Sequence, residues 1–206
     1  MKVAPRIRWT VPAAILALAA AGCGGGQPEP APVAEEASAV VVESEAPPPP
    51  VFPVEPTGPY SSCSPGDGSG FCGVSYGSSR KQAVEGFQGE LKPLAGSRLS
   101  RGCQVLFADG KKDTIAFTFQ DDVAGRVEVM IAGPVTLTGV GVGATLDDLK
   151  AAHAEMSELP DKFDPAITQY EVLDGPGKIV YRMKDGKVFA WRTGIPPVID
   201  YVEGCG

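Results

Sequence analysis

Gly73-Val-Ser-Tyr-Gly-Ser-Ser-Arg-Lys-Gln-Ala83 and Gly139-Val-Gly-Val-Gly-Ala-Thr-Leu-Asp-Asp-Leu149 are two versions of one pattern, sixty-six residues apart. Gly77 aligns with Gly143, and Ser79 with Thr145. Each hydroxyl residue is placed to cap a helix by accepting a backbone N–H of its first turn. Thr145-Leu-Asp-Asp148 reads as a capping box with aspartate in place of glutamate, and its acids suit the positive helix end. Leu146, Leu149 and His153 then fall on one helical stripe. Such a repeat decides the fold, because it predicts one supersecondary unit used twice.

Strand-like runs follow each helix. In the first copy they are Gln104–Ala108, Thr114–Phe119 and Arg126–Ile131; in the second, Thr168–Leu173, Lys178–Met183 and Lys187–Thr193. Asp185-Gly186 is a strong two-residue hairpin signal between the last two runs. Asp109-Gly110 is expected to begin the corresponding turn of the first copy, with Asp121-Asp122 a solvated turn. The fold class is therefore α+β: two tandem α-β-β-β modules, about 70–134 and 135–206, each a helix on an antiparallel sheet. Residues 60–206 are long enough for one shared core.

Four of the five cysteines lie in this domain: Cys63, Cys72, Cys103 and Cys205. An even set in an exported chain reads as two disulfides, with three connectivities open. Cys63 and Cys72 flank a run of turn-formers, and their closeness favours pairing with each other. That leaves Cys103 with Cys205, closing a loop worth up to about 4.7 kcal/mol in the chain-entropy model. A zinc site would want a C-x₂₋₄-C knuckle and a redox centre C-x-x-C; neither is present.

Export is read from the first twenty-two residues. Lys2, Arg6 and Arg8 precede an apolar run, Val11 to Ala21, too short to span a bilayer core that needs roughly twenty residues. The run ends Leu18-Ala-Ala-Ala-Gly22-Cys23, which resembles the lipobox of bacterial lipoproteins, with Ala20 where leucine is commoner. The resemblance implies that Cys23 carries a diacylglyceryl group and that palmitate-like chains anchor the protein to a membrane. Residues 23–59 then form a linker. Ten of the thirty-six residues from Gly24 to Pro59 are proline, six are glutamate and none is basic. Such a segment buries too little apolar surface to offset its ordering entropy, so a disordered, extended tether is expected. The Pro47–Pro50 run is read as a stiff spacer rather than a recognition motif.

Over all 206 residues the formal charge is −7, and loss of the three n-region cations takes it to near −10. That argues against nucleic acid as a partner. A single histidine argues against most zinc and histidine-dependent chemistry.

The whole pattern resembles a bacterial family of secreted proteins and lipoproteins of largely unassigned function. It is carried by the two glycine–hydroxyl helix starts, the cysteine opening the next strand, Asp185-Gly-Lys-Val-Phe-Ala-Trp191 and the terminal Val202-Glu-Gly-Cys205. The tandem plan is also similar to the β-lactamase inhibitor protein fold and to small outer-membrane assembly lipoproteins of the SmpA/OmlA type. No partner-binding residue of those proteins has a matching position here.

Gly73-Val-Ser75-Tyr-Gly77 fits the nucleophile elbow of hydrolases, but turn residues precede it instead of a strand, and its only potential base is His153. Gly139-x-Gly141-x-Gly143 lacks the third glycine and the βαβ context of a dinucleotide site. Asp67-Gly-Ser-Gly70 has too few carboxylates for calcium. No enzyme activity, cofactor or metal is expected. In the last hairpin, direct pairing from the Asp185-Gly186 turn sets Tyr181 and Met183 on one face with Val188 and Ala190. Val180 and Arg182 then share the other with Phe189 and Trp191. Both faces carry large apolar groups, so Trp191, Phe189, Tyr181 and Arg182 are candidate partner contacts. The expectation is a non-enzymatic, lipid-anchored binding module for a protein or other component of the cell envelope. Its alternatives are an inhibitor of an exported hydrolase, which needs an exposed aromatic cluster, and a hydrolase built on Ser75 and His153.

Overall fold

The structure, a computed structural model, describes residues 57–96, 102–202 and 205. The expected signal segment, Cys23 and most of the expected linker fall outside them. A two-stranded ribbon, β1 (Gly70–Phe71) and β2 (Val74–Ser75), precedes helix α1 (Arg80–Gly86). Strands β3 (Leu91–Lys92), β4 (Cys103–Ala108), β5 (Ile115–Gln120) and β6 (Val123–Val129) follow. Helix α2 (Leu146–Ala152) opens the second half, with β7 (Ser157–Pro160), β8 (Thr168–Asp174), β9 (Gly177–Lys184) and β10 (Lys187–Gly194) behind it. A 3-10 turn at Val198–Asp200 ends the series.

The eight strands from β3 to β10 form one antiparallel sheet in the order β3-β4-β5-β6-β10-β9-β8-β7. Each half contributes four strands, and the last strand of each meets the other at the centre. Both helices begin as the sequence predicts. Ser79 forms a capping box with Gln82, and Thr145 forms one with Asp148. Gly77 and Gly143 have φ of 87° and 98°, which glycine adopts without steric cost.

The halves match in register as well as order. The Gly77 N–H donates to Ala124 O at 2.8 Å, and the Gly143 N–H donates to Val188 O at 2.8 Å. Ser79 bridges to Val123, and Thr145 to Lys187. The partner of the Asp185-Gly186 turn is therefore Asp121-Asp122, not Asp109-Gly110. All four of these turn residues have positive φ, as a twisted two-residue hairpin requires. Asp109-Gly110 instead leads from β4 into β5, whereas Gly175-Pro176 joins β8 to β9.

Three residues past each turn lies a bulge. Gly125 in β6 and Phe189 in β10 each lack a partner in the facing strand. The bulge at Phe189 corrects the expected facing of the last hairpin. Past it Trp191 stands opposite Tyr181, and Ala190 opposite Arg182. A one-residue shift carries every later side chain to the other face. Trp191 thus joins Tyr181, Met183 and Val188 in the core.

That core fills the helix-covered face. Ile115, Val129, Trp191, Tyr181 and Tyr170 form one row across five strands. Phe71 meets Trp191 edge to face, with ring centres 5.5 Å apart. The sheet edges are short, as isolated edges need to be: β3 has two residues, and β7 has four including Pro160. Both are too short to give a strand signal in the sequence. The expected disulfides are both present, with Cα separations of 4.5 Å for Cys63–Cys72 and 5.7 Å for Cys103–Cys205. The second ties the C-terminal segment to the start of β4.

Candidate functional site

The sheet face away from the helices is charged where the core face is aromatic. Across its middle runs the row Phe107, Ala116, Glu128, Arg192, Val180 and Glu171. Beside it lie Arg126 and Arg182. Part of the face is crossed by the C-terminal segment. The Arg126 guanidinium donates from Nη1 to Tyr201 O at 2.6 Å, and Asp200 pairs with Lys178 at 2.6 Å. The bulge glycine helps here: a side chain at Gly125 would collide with Val198.

Phe107, Ala116, Arg126 and Glu128 line an opening over the first half, and a second uncovered part lies over the second half. It holds a cavity of about 230 Å³. Gln169, Glu171, Lys178, Arg182 and Arg192 line it from β8, β9 and β10. Leu159 to Phe163 form one wall, and Asp200 and Val202 the other. Exposed apolar side chains are few among the described residues, yet three of them ring this opening. Leu159 is 42% exposed, Phe163 66% and Val202 44%.

Most of its charges are tightly paired. Glu128 accepts from Arg126 at 2.6 Å and from Arg182 at 3.5 Å. Asp161 accepts from Gln169 Nε2 at 2.8 Å and Arg182 Nη2 at 3.3 Å. Burial opposes the Asp161 charge. The Phe163 N–H, the Gln169 amide, the Asp164 N–H and Arg182 outweigh it and hold the carboxyl below its ordinary range. Burial likewise opposes the Lys178 charge, but Asp200 and Glu171 hold its pKa above the usual lysine value. The arrangement can bind and orient an ionic ligand.

Of the expected contacts, Arg182 lines this cavity, with Phe189 beneath its guanidinium at 4.9 Å. Trp191 and Tyr181 do not reach it. Both are 0% exposed, so neither has surface to offer a partner, and the aromatic cluster required of a hydrolase inhibitor lies inside the core. Ser75 and His153 are not joined by a hydrogen bond. His153 Nε2 is engaged by Thr138 Oγ1 at 3.1 Å and Tyr181 Oη at 3.0 Å, and Ser75 O accepts from the Ser78 hydroxyl. Among the described residues no cluster of His, Cys, Asp and Glu is arranged to hold a metal ion, and no helix is long and apolar enough to cross a membrane. Cys23, the expected lipid-attachment residue, lies outside the described residues.

Sequence reasoning missed Arg192, Gln169, Asp161 and the apolar rim. Strand alternation places Arg192 opposite Trp191's face, but only the bulge tells which face is open. The chain matches no protein-family model, no curated protein and no solved structure. The two disulfides fit an oxidising, extracytoplasmic compartment.

Proposed function

We propose that this is a non-enzymatic, lipid-anchored binding module of the bacterial cell envelope. The domain consists of two tandem modules tethered by the proline- and glutamate-rich linker to acyl chains on Cys23. Its partner is a protein of the envelope, bound at the uncovered part of the charged sheet face over the second half. One observation carries this reading: a cavity with an ionic floor is ringed by exposed Leu159, Phe163 and Val202. Apolar groups beside desolvated charges are what a protein interface uses for affinity and register.

A photo-crosslinking residue tests it in the full chain in cells. At position 163 it captures a discrete partner. At Val84, on helix α1, it captures none. Equal capture from both positions, or none from 163, refutes the site. The anchor is tested separately: Cys23→Ala is expected to move the protein from the membrane fraction to the soluble one.

A further inference from the structure

The cavity also shows what kind of group it receives, an inference that rests on the reading above. Arg192 sits in mid-sheet, opposite Glu128 on one side and Val180 on the other, and is only 9% exposed. Its facing carboxylate is already taken, because Glu128 pairs with Arg126 and Arg182. Asp161, the other carboxylate of the cluster, accepts from Arg182, Gln169 and the backbone of Phe163 and Asp164. Three guanidinium groups thus share two carboxylates. Arg192 keeps one neutral hydrogen bond, from Nη2 to Gln169 Oε1 at 3.1 Å, and its Nε is buried without a partner. No carboxylate of the described residues forms an ion pair with it.

A buried cation without a counter-ion is costly in a medium of low dielectric. Burial first, and the repulsion of Arg126 next, pull the Arg192 pKa down to about 10 against the attraction of Glu128 and Asp161. Arg182 Nε is buried and unpartnered as well. Both side chains line the cavity, whose volume of about 230 Å³ admits one terminal residue and is small for a cofactor.

We propose that this cavity binds a carboxylate carried on an apolar group. Arg192 receives the carboxylate, and Leu159, Phe163 and Val202 receive the apolar part. The C-terminus of an extended protein segment ending in a large aliphatic residue has this chemistry, as does a free aliphatic acid. Lys178 holds two carboxylates, Glu171 and Asp200, so among the described residues Arg192 is the one cation of the cluster without a carboxylate at ion-pair distance, and it can take one carboxylate group. A phosphate dianion would meet Asp161, Glu171 and Asp200 on the same walls. A carboxylate also fits the planar guanidinium edge, whose N–H donors can form a paired hydrogen bond with it.

Calorimetric titration of the full chain tests this. The probes are a pentapeptide ending in leucine with a free carboxylate, its C-terminal amide, and hexanoate. The acid peptide is expected to bind at least tenfold tighter than the amide. Arg192→Gln and Arg192→Met, checked for cooperative unfolding, are expected to lose at least tenfold for every carboxylate probe. Phe163→Ala is expected to weaken the peptide several-fold. A peptide that binds tighter than hexanoate identifies a protein terminus as the source; equal binding identifies a free aliphatic acid. Equal binding of acid and amide, no binding of any probe, or folded Arg192 variants with unchanged affinity would overturn the proposal. If crosslinks from position 163 persist while the carboxylate probes fail, the anion site is wrong and the docking face stands. If the crosslinks themselves are absent, the docking reading has failed.

Discussion

Trp191 stands directly across the β9–β10 ladder from Tyr181, both without solvent exposure, and Phe71 meets the indole edge-on. This contact joins the β1–β2 ribbon to the central strands of the sheet through one side chain. Trp191→Ala is therefore expected to cost about 3–5 kcal/mol, the range for a large aromatic removed from a packed core. Phe189→Ala, at the half-exposed bulge, is expected to cost about 1 kcal/mol or less. Urea denaturation of both variants measures the difference; near-equal losses would put Trp191 outside the core.

The two caps make a paired test of the repeat. Ser79 accepts from the Gln82 N–H at 3.3 Å, and Thr145 from the Asp148 N–H at 3.2 Å. Ser79→Ala and Thr145→Ala should each lower stability by about 1 kcal/mol. The double variant should lose close to the sum, since the caps share no partner. A strongly non-additive result in urea unfolding would show coupling that the structure does not contain.

His153 sets an acid-side limit. Burial pulls its pKa below the ordinary 6.5, with Asp174 acting in the opposite sense. The native ring is therefore neutral, and the unfolded chain binds the proton more readily. Its contribution is complete above the unfolded value and is lost as pH falls from there toward the native value. Urea midpoints measured from roughly pH 7.5 to pH 5.5 should fall more steeply for the native chain than for His153→Gln. Parallel slopes would assign the acid sensitivity to other groups.

The Cys103–Cys205 bond closes 102 residues. Replacing both cysteines with serine should destabilise the domain by up to about 4.7 kcal/mol. It should also free the segment after Val198, whose remaining ties to the sheet include the Lys178–Asp200 pair and the Tyr201 carbonyl held by Arg126. Limited proteolysis that cuts beyond Val198 in the variant and not in the native chain is the expected result. Identical digestion patterns would mean that the disulfide does not hold this segment.

Gly125→Val probes the same segment from below. The introduced side chain would collide with Val198, so the C-terminal segment should lift and Arg126 should lose its bond to the Tyr201 carbonyl. Faster amide exchange at residues 198–202 is the readout. Unchanged protection there would show that β6 and the segment are less closely packed than described.

Local chemistry was enough to place much of this protein. Ser79 and Thr145 announce their helices, the spacing of the cysteines favours the observed pairing, and Asp185-Gly186 marks its hairpin. Each of these rests on groups a few residues apart or on a count, so neighbouring sequence contains the cause. The bulge at Phe189, the edge strands and the crossing of the C-terminal segment depend on what packs against them from far along the chain. Only the folded sheet decides that Trp191 faces inward, that Arg192 faces the cavity, and that Glu128 is spent on Arg126 and Arg182. The physical reason is periodicity: strand alternation fixes which residues share a face, but one extra residue reverses the assignment, and the packing energy that selects it is non-local.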